Sequence, residues 1–124
     1  MKMIAPVIAA LALTGCAVSS TITRDETGRS AFDGAVYGGQ RGIINPEITG
    51  LAKHRIFHQG STGFTAVESV RQSAMQRVES FCSLGGKEIH LIEETTSTPP
   101  HILGNWPRIE IVFSCVDSAQ PKKQ

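Results

Sequence analysis

The chain has little excess charge of either sign. Its 124 residues contain 12 Lys and Arg against 11 Asp and Glu, which gives a formal net charge of +1. A strongly basic surface is typical of proteins that bind nucleic acid or anionic lipid through electrostatics. The composition therefore predicts no nucleic-acid partner, and charge alone identifies no other partner.

The sequence also lacks an apolar run long enough to cross a membrane. Its N-terminal apolar run occupies residues 4–13 and is interrupted by Pro6, whereas a membrane-spanning helix needs about 20 residues. Lys2 precedes this run. A basic start followed by a short apolar stretch is typical of a secretory signal peptide, so we predict that residues 1–15 are removed on export.

The predicted signal peptide ends in Leu13-Thr14-Gly15-Cys16. This tetrapeptide resembles the lipobox of bacterial lipoproteins, in which an aliphatic residue, a small residue and Gly or Ala precede an obligatory cysteine. The thiol is required because it forms the thioether to the lipid, and a small Gly15 fits beside the bond that is cut. The alternative is a core helix that happens to end in Gly-Cys.

The resemblance implies that Cys16 carries the lipid and attaches the protein to a membrane without spanning it. Two or three acyl chains hold a protein firmly, because each buried methylene contributes about 0.8 kcal/mol. In enteric lipoproteins an Asp after the cysteine retains the protein in the inner membrane, and here that residue is Ala17. The expected location is the outer membrane, facing the periplasm.

Motifs that carry catalysis are missing as well. Residues 60–63 do not form the Gly-x-Ser-x-Gly turn of a hydrolase, and residues 37–42 lack the Lys-Ser/Thr of a phosphate-binding loop. His54 and His58 are four residues apart, but the residues between them are typical of a strand and no third ligand is near in sequence. The Glu93-Glu94 pair is interpreted as a solvated strand end. We therefore predict no catalytic residue, no metal site and no cofactor.

The mature chain has room for one small domain. Residues 16–53 are rich in Ser, Thr and Gly and show no amphipathic period, so we interpret them as a flexible tether with a short strand around 35–37. Residues 54–117 form the predicted domain. Residues 118–124 are predicted to be a disordered tail.

An amphipathic helix is the clearest predicted element. Thr65 and Glu68 have the spacing of a capping box, in which two side chains satisfy open backbone donors at a helix start. The pair Gly85-Gly86 predicts the end of the helix. One apolar stripe with steps of three and four residues predicts a single buried face. It contains Val67, Val70, Ala74, Met75, Val78, Phe81 and Cys82.

Three strands are predicted around this helix, at residues 55–59, 87–94 and 108–116. The last strand alternates cleanly, with Ile109, Ile111, Phe113 and Cys115 on one side. These elements predict an α+β fold in the order β-α-β-β. The helix would cover one face of a small sheet that ends in an antiparallel hairpin.

Two cysteines are predicted to face the same core, because Cys82 lies on the apolar stripe of the helix and Cys115 on the apolar side of the last strand. Export would place them in an oxidising compartment, where a disulfide is expected. The alternative is a pair of free core thiols. A redox-catalytic role is disfavoured, since there is no Cys-x-x-Cys and a buried pair exchanges poorly.

The same region carries a second resemblance. A helix ending in Phe81-Cys82, then Gly85-Gly86, a strand, a loop and a strand with Phe113-Ser114-Cys115 resembles small proteobacterial envelope lipoproteins, and more loosely the RcsF-like stress sensors. The resemblance covers residues 66–115. The second disulfide of those sensors has no counterpart cysteines here, so it does not imply a signalling role.

The predicted connection at residues 95–107 places apolar side chains outside the core, namely Ile102, Leu103 and Trp106. They either fold back to cap the sheet or form an exposed patch that meets a partner. The sequence thus predicts a non-enzymatic lipoprotein that binds another envelope component, expected to be a protein. The alternatives are a membrane-tethered sensor or regulatory subunit and, least favoured, a small hydrolase or metal carrier.

Overall fold

The computed structural model of the protein describes residues 21–25 and 29–117. These residues form one α-helix and an antiparallel sheet of five strands, in the spatial order β1-β3-β5-β4-β2. The predicted α+β fold is confirmed, with more strands than the sequence indicated. The elements are β1 (Ile22–Arg24), β2 (Gly39–Ile43), β3 (His54–Gln59), α1 (Val67–Ser83), β4 (Lys87–Ser97) and β5 (Arg108–Asp117).

Two of the five strands lie in the segment that was predicted to be a tether. Strand β1 pairs with β3, and β2 pairs with β4 from Gly39 opposite Ser97 to Ile43 opposite Glu93. No strand forms at 35–37. The prediction missed β2 because all its residues are exposed and lack apolar alternation, so backbone pairing rather than burial defines it. The predicted signal, Cys16, residues 26–28 and the predicted tail lie outside the described residues.

The hydrophobic core lies between α1 and one face of the sheet. Val70, Ala74, Val78 and Cys82 are the buried residues of the helix. They pack on side chains from β3 and β5, namely Ile56, Ile109, Ile111 and Phe113. The predicted stripe therefore forms the interface, with Val67 and Met75 half-buried and Phe81 at its margin. Each fully buried Val, Ile or Phe side chain contributes about 1.5–3 kcal/mol.

The start of α1 differs from the prediction, whereas its end agrees. Ala66 is the N-cap and makes no side-chain cap hydrogen bond, so the predicted capping box does not form. The Thr65 hydroxyl instead accepts a hydrogen bond from the Thr62 N–H at 3.4 Å, within the preceding turn. At the other end Gly86 has φ +66° and its N–H donates to the Ser83 carbonyl at 2.9 Å. Glycine suits this left-handed position because it has no Cβ.

A disulfide joins Cys82 on α1 to Cys115 on β5, with a Cα–Cα distance of 5.4 Å. This confirms the predicted pairing. The two cysteines are 33 residues apart in sequence, and closing a loop of that length stabilises a fold by roughly 4 kcal/mol in the chain-entropy model. For so small a core this is a large share of the stability.

The face of the sheet opposite α1 is also buried along β5. Arg108, Glu110, Val112 and Ser114 point to this face and are all buried. Residues 29–35, which we call the covering segment, lie over it. Phe32 of this segment packs edge-on against Phe57, with ring centroids 6.1 Å apart, and the Arg108 guanidinium lies 4.9 Å from its ring centroid.

A buried ion pair lies beneath the covering segment. Glu110 is 1% exposed, and its carboxylate is paired with Arg55 and accepts a hydrogen bond from the Ala31 N–H at 2.6 Å. Arg55 also pairs with Asp25 at 3.3 Å. A carboxylate this deep is tolerated only when it is paired and hydrogen-bonded. The contacts of Glu110 thus tie the N-terminal part of the chain to the central strand.

Candidate binding surface

Three segments meet at one end of the sheet, beyond Gln59 of β3 and Ser97 of β4. They are residues 36–38, 60–66 and 98–107, and together we call them the apolar end. The Gly60 N–H donates to the Pro107 carbonyl at 2.8 Å, which joins two of them. The Tyr37 hydroxyl donates to the Leu103 carbonyl at 2.9 Å, which joins the third. None of the three segments contains Asp, Glu, Lys or Arg.

The close packing of these segments depends on a glycine. A Cβ on Gly63 would lie 3.1 Å from the His101 carbonyl oxygen and 3.7 Å from Cδ1 of Trp106. The turn that carries Phe64 therefore lies directly against the loop that carries Trp106. The two aromatic residues belong to one surface although 42 positions separate them in sequence.

Polar groups beneath the surface hold the loop at 98–107 in place. Asn105 is buried, and its amide donates to the Thr98 carbonyl at 2.9 Å and to the Pro100 carbonyl at 2.8 Å. The Arg108 guanidinium donates to Asn105 Oδ1 at 2.8 Å and to the Tyr37 carbonyl at 2.7 Å. Burial lowers the pKa of Arg108 from its ordinary value. The loop is thus a built structure that presents its apolar side chains outward.

The tip of this loop adopts an unfavourable backbone conformation. Leu103 has φ +54° and Gly104 has φ +85°. The left-handed region costs a residue with a Cβ about 1–2 kcal/mol, because the Cβ approaches the following carbonyl. Leu103 is nevertheless 86% exposed, so no core packing offsets this cost. Strain of this kind concentrates at functional positions, where something other than stability favours the residue.

The predicted patch residues do not fold back over the sheet. Ile102 is 59% exposed, Leu103 86% and Trp106 38%. Two further apolar side chains join them, Val36 at 94% and Phe64 at 100% exposure. Neither was predicted from the sequence, because Val36 lies in the segment interpreted as a tether and Phe64 lies between a predicted strand and the predicted helix. The sequence did contain a signal for an exposed apolar site, because each is an apolar residue in a Gly-rich segment and belongs to no amphipathic pattern.

A shallow cleft of about 350 Å³ lies within the apolar end. Residues 36–38 and the loop at 98–107 form its wall. The lining residues include Val36, Tyr37, Pro99, Pro100, Ile102 and Leu103. No charged side chain lines it. A cleft without an acid, a base or an accessible nucleophile is suited to apolar contact.

The structure does not bring His54 and His58 together. Both lie on the same side of β3 as the core residue Ile56, and four residues of strand separate them by about 13 Å. The His54 ring packs against Phe81 and Phe113, at centroid distances of 4.8 and 5.5 Å. Burial is the main cause that lowers the pKa of both histidines, and Arg24 and Arg77 respectively add to it. His54 thus packs among aromatic rings, whereas His58 is buried beside Ser69 and Ser73 of α1.

The Glu93-Glu94 pair of β4 does not form an acid–base pair. Glu93 is paired with Arg41, whereas Glu94 is paired with Arg71 of α1 at 2.6 Å. Each carboxylate therefore has its own guanidinium partner. Within residues 21–25 and 29–117 no group of three or more side chains of the metal-binding types lies together.

The opposite end of the sheet also exposes apolar residues, but among charges. Ile44, Ile48 and Leu84 are 44%, 37% and 90% exposed there. Charged residues nearby in sequence include Glu47 and Lys53, and Lys87 and Glu88 at the start of β4. The Lys53 ammonium pairs with Glu47 at 3.2 Å. We call this the charged end. The two ends of the domain thus differ in charge rather than in the presence of apolar side chains.

Comparison of the chain with protein families, with curated protein sequences and with solved structures found no match. In the described part of the chain no helix is both long enough and apolar enough to cross a membrane.

Proposed function

We propose that this protein is a non-enzymatic, lipid-anchored lipoprotein of the bacterial cell envelope that binds another envelope component through its apolar end. Its mature chain begins at Cys16, is attached to the outer membrane by lipid and faces the periplasm. The observation that carries the binding role is the apolar end itself. Monomeric soluble domains rarely expose contiguous apolar surface without a use for it.

Two features support the envelope location. The tetrapeptide at 13–16 has the lipobox pattern directly after a short apolar run. The disulfide between Cys82 and Cys115 is of the kind that forms and persists in oxidising compartments and is rare in the cytosol. The two features are independent, because one depends on the N-terminus and the other on the core.

The position of β1 limits how far the domain lies from its anchor. Only the residues from 17 to 21 lie between Cys16 and Ile22, and an extended chain spans at most about 3.6 Å per residue, or roughly 21 Å for the six steps. The domain therefore remains close to the membrane, in contrast to the long tether that the sequence suggested.

Cell fractionation tests the anchoring. The full chain, expressed in a Gram-negative host, is expected in the outer-membrane fraction. When that fraction is partitioned between detergent and water, the protein is expected in the detergent phase. The Cys16→Ser variant keeps the signal run but has no thiol to modify, and we expect it to leave the detergent phase. A wild-type protein found in the soluble periplasmic fraction would contradict the proposal.

Photo-crosslinking in intact cells tests the binding role. A photoreactive residue at Leu103, in the apolar end, is expected to give adducts with an envelope component in higher yield than the same residue at Leu84. The same residue at Leu84, in the charged end, is the matched control because both side chains are largely exposed. Equal adduct yields at the two positions would argue against a role for the apolar end.

A further inference from the structure

We propose that the envelope component in contact with the apolar end is the lipid bilayer itself. In this arrangement Val36, Phe64, Ile102 and Leu103 enter the interfacial layer, and Trp106 lies at its level. The inference rests on the lipid anchor of the proposed function and adds an orientation to it. The domain would lie on the membrane with its charged end toward the periplasm.

The direction of β1 supports this orientation. Strand β1 runs antiparallel to β3, with Ile22 opposite Ile56 and Arg24 opposite His54. Going from Arg24 back to Ile22, the chain therefore heads toward the Gln59 end of β3. That is the end from which residues 60–66 emerge. The chain thus enters β1 from the direction of the apolar end.

The reach of the chain is short enough for this end to meet the membrane. Three residues of strand separate Ile56 from Gln59, a rise of about 10 Å. The six steps from Ile22 back to Cys16 span at most roughly 21 Å. When Cys16 lies at the bilayer surface, the gap beyond Gln59 is at most about 11 Å. The three loops of the apolar end project into this gap.

The chemistry of the surface fits a lipid interface. Its loops contain no Asp, Glu, Lys or Arg, and the guanidinium of Arg108 beneath them is buried and hydrogen-bonded to protein oxygens. No charged group therefore has to be moved into the low-dielectric layer. Tryptophan is favoured at the level of the headgroups because its ring is apolar and its N–H is polar.

The shape of the surface favours a lipid occupant over a protein. Phe64, Val36 and Leu103 are 100%, 94% and 86% exposed, so each side chain of this surface projects almost fully into solvent. A protein partner would need a complementary pocket for each of them. Fluid hydrocarbon surrounds separate side chains without such complementarity. Interfacial binding of this kind depends on apolar side chains that enter the acyl boundary.

Fluorescence of Trp106 tests the inference, because it is the only tryptophan of the chain. The mature lipidated protein is reconstituted into vesicles of phosphatidylethanolamine and phosphatidylglycerol, with acyl chains brominated or not. Brominated chains quench only fluorophores that reach them. We expect a blue shift of the Trp106 emission and a loss of at least half its intensity in brominated vesicles.

Matched variants separate the apolar end from the rest of the domain. Leu103→Asp and Phe64→Asp should each reduce the quenching to less than half of the wild-type value. Leu84→Asp introduces the same change at the charged end and should leave the quenching unchanged. All three side chains are exposed, and the urea unfolding midpoint of each variant verifies that the fold is retained.

The outcomes distinguish the inference from the proposed function. A protein that carries lipid on Cys16 and sediments with vesicles, but whose Trp106 is not quenched, overturns the orientation and leaves the anchor intact. Equal loss of quenching in Leu84→Asp and Leu103→Asp also overturns it. A protein without lipid on Cys16, seen by mass spectrometry before reconstitution, contradicts the proposed function instead.

Discussion

Removal of the Glu110 carboxylate is the sharpest test of the fold described here. Glu110 is 1% exposed on the central strand, and its two oxygens are bound by Arg55 and by the Ala31 N–H. The Glu110→Ala variant leaves a guanidinium and a backbone donor without this partner. Breaking a buried ion pair by removing one member costs about 3–5 kcal/mol.

The expected cost lies at the lower end of that range, because Arg55 keeps its pairing with Asp25 at 3.3 Å. We therefore expect Glu110→Ala to lower the free energy of unfolding by about 3 kcal/mol. Glu110→Gln should cost about half as much, since its amide oxygen still accepts one hydrogen bond. The measurement is urea unfolding at pH 7, followed by far-UV circular dichroism.

A double-mutant cycle with Arg55→Met isolates the ion pair. The double variant should be more stable than the sum of the two single losses predicts, because it leaves no guanidinium facing a missing carboxylate. A loss below about 1 kcal/mol for Glu110→Ala, which is typical of exposed pairs, would contradict a buried ion pair at this position. It would mean that the covering segment does not bury this carboxylate in solution.

Three further predictions concern other parts of the domain. Replacing both Cys82 and Cys115 by alanine should lower the free energy of unfolding by roughly 4 kcal/mol, measured by urea unfolding with and without reductant as the control. Burial lowers the pKa values of His54 and His58 in the folded state, whereas histidines of the unfolded chain keep a pKa of about 6.5. Near and below that pH the unfolded state therefore binds more protons than the folded state. Stability to urea should therefore be constant above about pH 7.5 and fall as the pH drops through 6.5; a midpoint that rises on acidification would contradict this. Leu103→Gly should keep or raise the thermal midpoint, because it relieves a left-handed backbone worth about 1–2 kcal/mol, and a clear fall would show that Leu103 packs in the fold.

The helix and the last strand were predictable because their burial is periodic. The buried residues of α1 fall on the predicted stripe, and Ile109, Ile111 and Phe113 alternate along β5 toward the same core. The pairing of Cys82 with Cys115 followed from those two patterns. In these elements local sequence and tertiary packing favour the same structure.

The second face of the sheet could not be predicted in the same way. Glu110 alternates with apolar residues, which indicates a solvated face, yet residues 29–35 cover it from about 80 positions away in sequence. Strand β2 likewise depends on backbone pairing with β4. Such contacts join segments that are distant in sequence, so they produce no periodic pattern of apolar residues in either segment. The capping box at Thr65 failed for a local reason, because the preceding turn engages its hydroxyl.

The candidate surface was found in part. Ile102, Leu103 and Trp106 were recognised because apolar residues between prolines lie outside any periodic element. Phe64 and Val36 needed the tertiary structure, which brings three loops to one end of the sheet. The correction of the tether has the larger consequence for function, because it shortens the link between Cys16 and the domain to a few residues.

The chemical state of Cys16 in the mature protein decides whether the protein is lipid-anchored. Trypsin should release the peptide 16–24, because Arg24 is the first basic residue after Cys16. Mass spectrometry of membrane-extracted protein is expected to show this peptide with a diacylglyceryl group on Cys16, with or without a third acyl chain. Recovery of an unmodified Cys16, or of a chain that still begins at Met1, would contradict the account.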